Sequence, residues 1–152
     1  MKKIRILGIS AFYHDSAAAL VENGEIIAAV QEERFTRIKG DSAFPHHAVA
    51  YCLNEAGITE KDIDYIVFYE NPLVKFERLL TTYHLTAPQS LKSYLTALPS
   101  WLTKKIWLKF EIQKELGVKN DIAFCDHHLS HAASAFFPSP FAESAVLTID
   151  GV

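Results

Sequence analysis

The sequence predicts an α/β domain built on a mixed sheet, and three observations point that way. Three apolar runs near the start are joined by short turns, as in an antiparallel meander. Later apolar runs each follow a stretch of helical spacing, as when helices pack against a sheet. Between them, residues 72–116 break the pattern with prolines, both tryptophans and interleaved lysines, which marks a helical insert.

Each element follows from its residues. Ile4 to Ser10 reads as a buried strand and Ser16 to Val21 as a second. Asn23-Gly24 is a tight hairpin signal, and Glu25 to Val30 makes the third strand. Phe44-Pro45 opens a helix, since a proline in the first turn loses no hydrogen bond. Ala48, Val49, Cys52, Leu53 and Ala56 share one helical face, and Gly57 is a natural stop. Tyr65 to Tyr69 is another strand. The insert carries two or three helices, the last expected from about Ser100 to Leu116 and ended by Gly117. Ile122 to Cys125 is a short strand. The helix from about His127 to Phe137 is stopped by Pro138 and Pro140, and Ala145 to Ile149 is expected as a last strand. The resulting order, β-β-β-α-β, helical insert, β-α-β, matches the ribonuclease-H-like unit of the actin-like ATPase fold, in which the unit occurs twice. Ile6-Leu7-Gly8-Ile9-Ser10-Ala11 echoes Val146-Leu147-Thr148-Ile149-Asp150-Gly151. On that echo, the chain 1–152 is expected to be the first half of such a domain, with the strand at 145–150 as the candidate start of a second unit.

Composition narrows the function classes. A 152-residue chain that is 49% hydrophobic can bury a real core. The net charge of −3 weighs against nucleic acid as the main partner. Cys52 and Cys125 lie far apart with no CxxC, which fits a reducing cytoplasm better than a disulfide framework. The apolar run after Lys2-Lys3 is too short for a signal peptide, and no window approaches a membrane span. The Lys104-Lys105-Ile106-Trp107-Leu108-Lys109 stretch reads as a lysine-rimmed helix on a core rather than a membrane-surface helix.

The chemistry-bearing residues cluster at the two ends. His127 and His131, four apart on a helix, put two imidazoles on one face, able to grip one metal ion with a carboxylate such as Asp150 as third ligand. Two histidines and a carboxylate suit Fe(II), Mn or Zn and leave open positions for phosphate oxygens. The residue after the first histidine is not Glu, which argues against an HExxH protease. Asp126 is a good N-cap for this helix, and His128 is an alternative ligand. His14 sits in the turn after the first strand, where Asp15 and Ser16 are also ordinary turn residues. Ser10 and Gly151 lie at strand ends where backbone N–H groups could cradle phosphates. Lys39, with Arg34 and Arg37, forms a basic run whose plain reading is a solvated turn.

Three ordered blocks carry a family resemblance. They are Gly8 to Leu20 around Tyr13-His14-Asp15-Ser16, Gln31 to Lys39 followed by Asp41 to Pro45, and His127 to Phe136 running on to Thr148-Ile149-Asp150-Gly151. Together they resemble the N-terminal part of the O-carbamoyltransferases of nodulation-factor and antibiotic biosynthesis. The resemblance implies a much longer protein, in which a second domain makes carbamoyl-adenylate from carbamoyl phosphate and ATP. The actin-like domain, akin to the tRNA threonylcarbamoyl transferase, then passes the carbamoyl group to a substrate hydroxyl. It implies a catalytic role for His14 and Lys39, with His14 taking the hydroxyl proton or holding the carbamoyl group. It also implies a divalent metal, Fe above Mn or Zn, at His127, His131 and Asp150, and an inactive chain when residues 1–152 stand alone. A tRNA threonylcarbamoyl-type transferase and a non-catalytic nucleotide-binding or interaction module are the rival readings. Leu129-Ser130 between the histidines and the His14-Asp15 block favour the first reading.

Overall fold

The first three strands pair as a meander, β1 (Arg5–Ser10), β2 (Ala17–Glu22) and β3 (Glu25–Gln31), in a computed structural model that describes residues 3–103 and 105–149. Asn23 and Gly24, which join β2 to β3, both have positive φ, at 52° and 90°. That backbone twist matches the twist of the flanking strands, as the Asn-Gly pair predicts. Two further strands, β4 (Tyr65–Phe68) and β5 (Ile122–Phe124), add in parallel, β4 beside β1 and β5 beside β4. The five-stranded mixed sheet therefore runs β3-β2-β1-β4-β5.

Period-two alternation divides the sheet into two faces. Leu7 and Ile9, Ala18 and Leu20, and Ile66 and Phe68 point to one face and are buried. There they meet Ala48, Val49, Cys52 and Leu53 of α2 (His46–Ala56) and Leu108 and Ile112 of α5 (Leu108–Leu116) in one core. Gly57 ends α2 with φ 63°, its N–H bonded back to Asn54 and Leu53 carbonyls, which needs the left-handed conformation glycine tolerates. The other face presents Gly8, Ser10, Ala17, Ala19, Ala29 and Val67, a floor of small side chains with room above it.

Helix α2 starts one residue later than expected, with Pro45 as the cap residue and no side-chain cap of its own. Its exposed N–H groups are met from outside. The buried Glu32 carboxylate accepts from Ala48 N–H at 2.8 Å and His47 N–H at 3.2 Å, and lies 2.6 Å from His47 Nδ1. Removing it strands the buried Ala48 N–H and leaves the half-buried His47 N–H without its acceptor. Glu32→Ala is therefore expected to cost about 3 kcal/mol in a urea melt, and Glu25→Ala, exposed in the same hairpin, no more than about 0.5 kcal/mol.

Three expectations are corrected. The basic run after Glu32 holds a one-turn helix, α1 (Glu33–Thr36), closed by Arg37 at φ 61°. The insert's last helix does not run from Ser100. α3 (Pro72–Leu85) is capped by the Asn71 side chain, and α4 (Leu91–Thr103) passes through Pro99. A 3-10 turn (Lys105–Trp107) then precedes α5. The Trp107 indole N–H bonds the Leu102 carbonyl, and Leu108 and Ile112 of α5 are buried in the core. Finally, residues 145–149 form no strand. They pair with no described strand, and Leu147 and Ile149 are more than four-fifths exposed, so their apolar alternation meets no sheet face to cover it. Among the described residues no helix is long and apolar enough to cross a membrane.

Candidate active site

The carboxyl ends of the parallel strands β1, β4 and β5 lie side by side, the place where open α/β sheets gather ligands. An open cleft of about 1220 Å³ occupies this end of the small-residue face. Ser10, the last residue of β1, lines it. So does the turn that follows, in which Phe12 and Asp15 hold left-handed φ values of 71° and 51°. Strain of that kind persists only where surroundings fix it. Here Phe12 N–H bonds the Ser42 carbonyl and Ser16 N–H bonds the Asp41 carbonyl.

That turn presents His14 to the cleft, largely exposed, with its Nδ1 2.7 Å from Asp15 Oδ2. At that distance the carboxylate oxygen can accept a hydrogen bond from Nδ1–H. Asp15 is thus more than a turn former: it holds the His14 ring. The strip after α1 runs beside this turn. Its Gly40 N–H is held by Glu33, and a Cβ placed on Gly40 would lie 3.9 Å from Asp15 Oδ1. Lys39 belongs to that strip but is exposed and does not line the cleft, whereas Arg34 does.

The second wall is α6 (His127–Phe136). Asp126 caps it, accepting Leu129 N–H at 3.1 Å, and Cys125 N–H bonds the Phe68 carbonyl, which ties the helix start to the end of β4. His127 and His131 both line the cleft, with Nε2 atoms 3.2 Å apart and rings nearly perpendicular. At bond lengths of about 2.1 Å, that separation subtends roughly 100° at a shared metal, which suits adjacent ligands of a tetrahedral or octahedral set. The pair therefore fits a metal. Among the described residues no third ligating side chain joins them. The expected third ligand, Asp150, and the expected phosphate cradle at Gly151 lie outside the described residues. His128 is exposed and does not line the cleft.

The insert supplies the third wall, which the sequence reading assigned to no site. Lys75, Arg78 and Thr82 of α3 and Trp101 of α4 face the cleft. Lys75 Nζ sits 4.5 Å from the centre of the Tyr13 ring, and Lys105 Nζ sits 5.0 Å from the same ring. Burial first, then the nearby Glu70 carboxylate, push the Tyr13 phenol up to about 12, so it stays protonated throughout the neutral range. Burial, then the Lys75 charge, pull the Lys105 ammonium below its usual range. Glu70, two residues after β4, is itself buried against the cleft. Its sequence signal was a lone acid at the carboxyl end of a parallel strand.

The chain is thus a mixed α/β unit that sets a carboxylate-bound histidine and a helix-borne histidine pair around the open carboxyl ends of its sheet. The family model described as Carbamoyltransferase N-terminus matches residues 5–152, and the chain belongs to that family. An uncharacterized protein of Synechocystis, sll1178, is 59% identical across 97% of the chain and 25% of its own length. The nodulation protein NolNO of Sinorhizobium fredii is 40% identical across 93% of the chain and 20% of its own length. An uncharacterized protein of Methanocaldococcus jannaschii, MJ1058, is 28% identical across 98% of the chain and 31% of its own length. The chain thus spans about a quarter of the curated relatives it matches.

Proposed function

We propose that this chain is the first half of an actin-like transferase domain, in a protein that moves a carbamoyl group from carbamoyl-adenylate to a substrate hydroxyl. The observation that carries the proposal is that one cleft gathers His14, from the start of the chain, with His127 and His131, from its end. Family membership and the β3-β2-β1-β4-β5 strand order, which is that of a ribonuclease-H-like unit, support the same reading.

The residues divide the work. His14 Nε2 takes the acceptor proton as the hydroxyl oxygen attacks the carbamoyl carbon and AMP leaves. Asp15 stabilises the imidazolium that forms. Lys39 is proposed to approach from the adjacent strip and neutralise carbamoyl or phosphate oxygens. Ser10, with Gly151, offers backbone N–H groups to phosphate. His127 and His131, with Asp150, would hold a divalent metal, Fe above Mn or Zn, which would supply Lewis-acid chemistry for phosphate oxygens. Arg78 adds positive charge on the facing wall, as an anionic donor requires, while the charge of Lys75 is matched by Glu70.

The complete protein, given carbamoyl phosphate, ATP and a panel of hydroxylated acceptors, is expected to release pyrophosphate and to form AMP and carbamate esters, read by mass spectrometry. Residues 1–152 alone are expected to form none. Ester from the 152-residue chain alone, or no carbamoyl-phosphate-dependent pyrophosphate from the complete protein, would overturn the proposal.

A further inference from the structure

Glu70 is a buried carboxylate with two different neighbours. Its Oε2 accepts from Lys75 Nζ at 2.9 Å. Its Oε1 lies 3.8 Å from His127 Nδ1, on the side of that ring away from His131. An ion pair with Lys75 alone would need neither deep burial nor the second oxygen turned toward an imidazole. Lys75 is held in turn over the Tyr13 ring, so the carboxylate is fixed from behind. The backbone bond from Cys125 to Phe68 sets the start of α6 close beside the residue after β4. Ring contact of Tyr69 with His127, at 5.7 Å between centroids, limits how the imidazole can turn.

We propose that Glu70 is the positioning residue of His127: it draws the imidazole proton onto Nδ1 and thereby leaves the Nε2 lone pair aimed at the ligand position shared with His131. A histidine that binds metal through one nitrogen gains basicity and a fixed ring plane when the other donates to a carboxylate. A movement of under about 1 Å brings Nδ1 into hydrogen-bond range of Oε1. His131 has no such carboxylate contact among the described residues, so the two histidines are unequal: His127 is the preset ligand and His131 the one that completes the grip. The inference rests on the metal reading proposed above and adds a residue to it.

The test is Co(II) titration of the apo form of the complete protein, wild type against Glu70→Met and Glu70→Gln, with NMR of the Co(II)-loaded forms. Met keeps the volume and removes both acceptor oxygens, while Gln is placed in a Lys75→Met background, so that its single amide oxygen is left to accept from Nδ1. E70M is expected to weaken Co(II) binding by about 10- to 100-fold and to lose the slowly exchanging, paramagnetically shifted His127 N–H signal. E70Q is expected to retain the signal and most of the affinity, a rescue that a merely structural ion pair with Lys75 would not give. Affinity and signal unchanged in E70M overturn the role of Glu70 alone. Loss in E70Q as deep as in E70M overturns it too, by making the negative charge or direct ligation the operative property, and E70Q decides this even where E70M fails to fold. A wild-type protein that takes up no Co(II) overturns the metal reading itself.

Discussion

His14→Asn is expected to lower carbamoyl transfer in the complete protein by about 10²- to 10⁴-fold, the usual contribution of a positioned base, while pyrophosphate release from ATP stays at the wild-type rate. Asparagine can still meet Asp15 but has no basic nitrogen to take the hydroxyl proton. The split in effect is the informative part. His14 stands on the turn after β1, in the domain assigned to transfer, so adenylate formation elsewhere in the protein has no reason to depend on it. Equal losses of pyrophosphate and ester would remove His14 from the transfer step. Lys39→Ala is expected to show the same split, and a wild-type transfer rate in that variant would take Lys39 out of the site.

His131→Ala in the complete protein is expected to cut bound metal by at least about tenfold, since loss of a ligand exceeds the loss of an orienting partner. Elemental analysis of the two proteins, purified alike, reads the outcome directly. The 3.2 Å between the two Nε2 atoms is the reason: one imidazole alone leaves a single weak contact where two made a chelate. A full complement of metal in the variant would return the histidine pair to a plain role as a polar helix start packed on a sheet.

Much of the fold was legible because its signals are local. Asn23-Gly24 dictates a turn, and the spacing of Ala48, Val49, Cys52 and Leu53 dictates a helix with one buried face, whatever else the chain does. The parts that were not legible depend on distant partners. Four residues of α1 are too few to show a period and bury nothing. The 3-10 turn before Leu108 goes with a side-chain bond, Trp107 to the Leu102 carbonyl, that periodicity does not announce. Residues 145–149 have a strand's alternation, but pairing decides whether alternation becomes a strand. The site follows the same division. His127 and His131 announce themselves by spacing along one helix. Glu70 gave little sign, because its meaning comes from Lys75 in the insert and His127 across the sheet end, which only the fold brings together.

Helix α6 buries none of its residues, and Leu129 stands 60% exposed on it. Its order rests on the Asp126 cap and the bond from Cys125 to Phe68, contacts gathered at its first turn. Within residues 1–152 taken by themselves, an element with so little buried surface opens at lower free energy than the sheet. Whatever binds His127 and His131 therefore adds its binding energy to the order of the helix that carries them. The cleft wall is in this sense completed by its occupant. Affinity measured at the histidine pair includes the work of fastening α6, and whatever covers Leu129 would tighten binding at that pair without touching it.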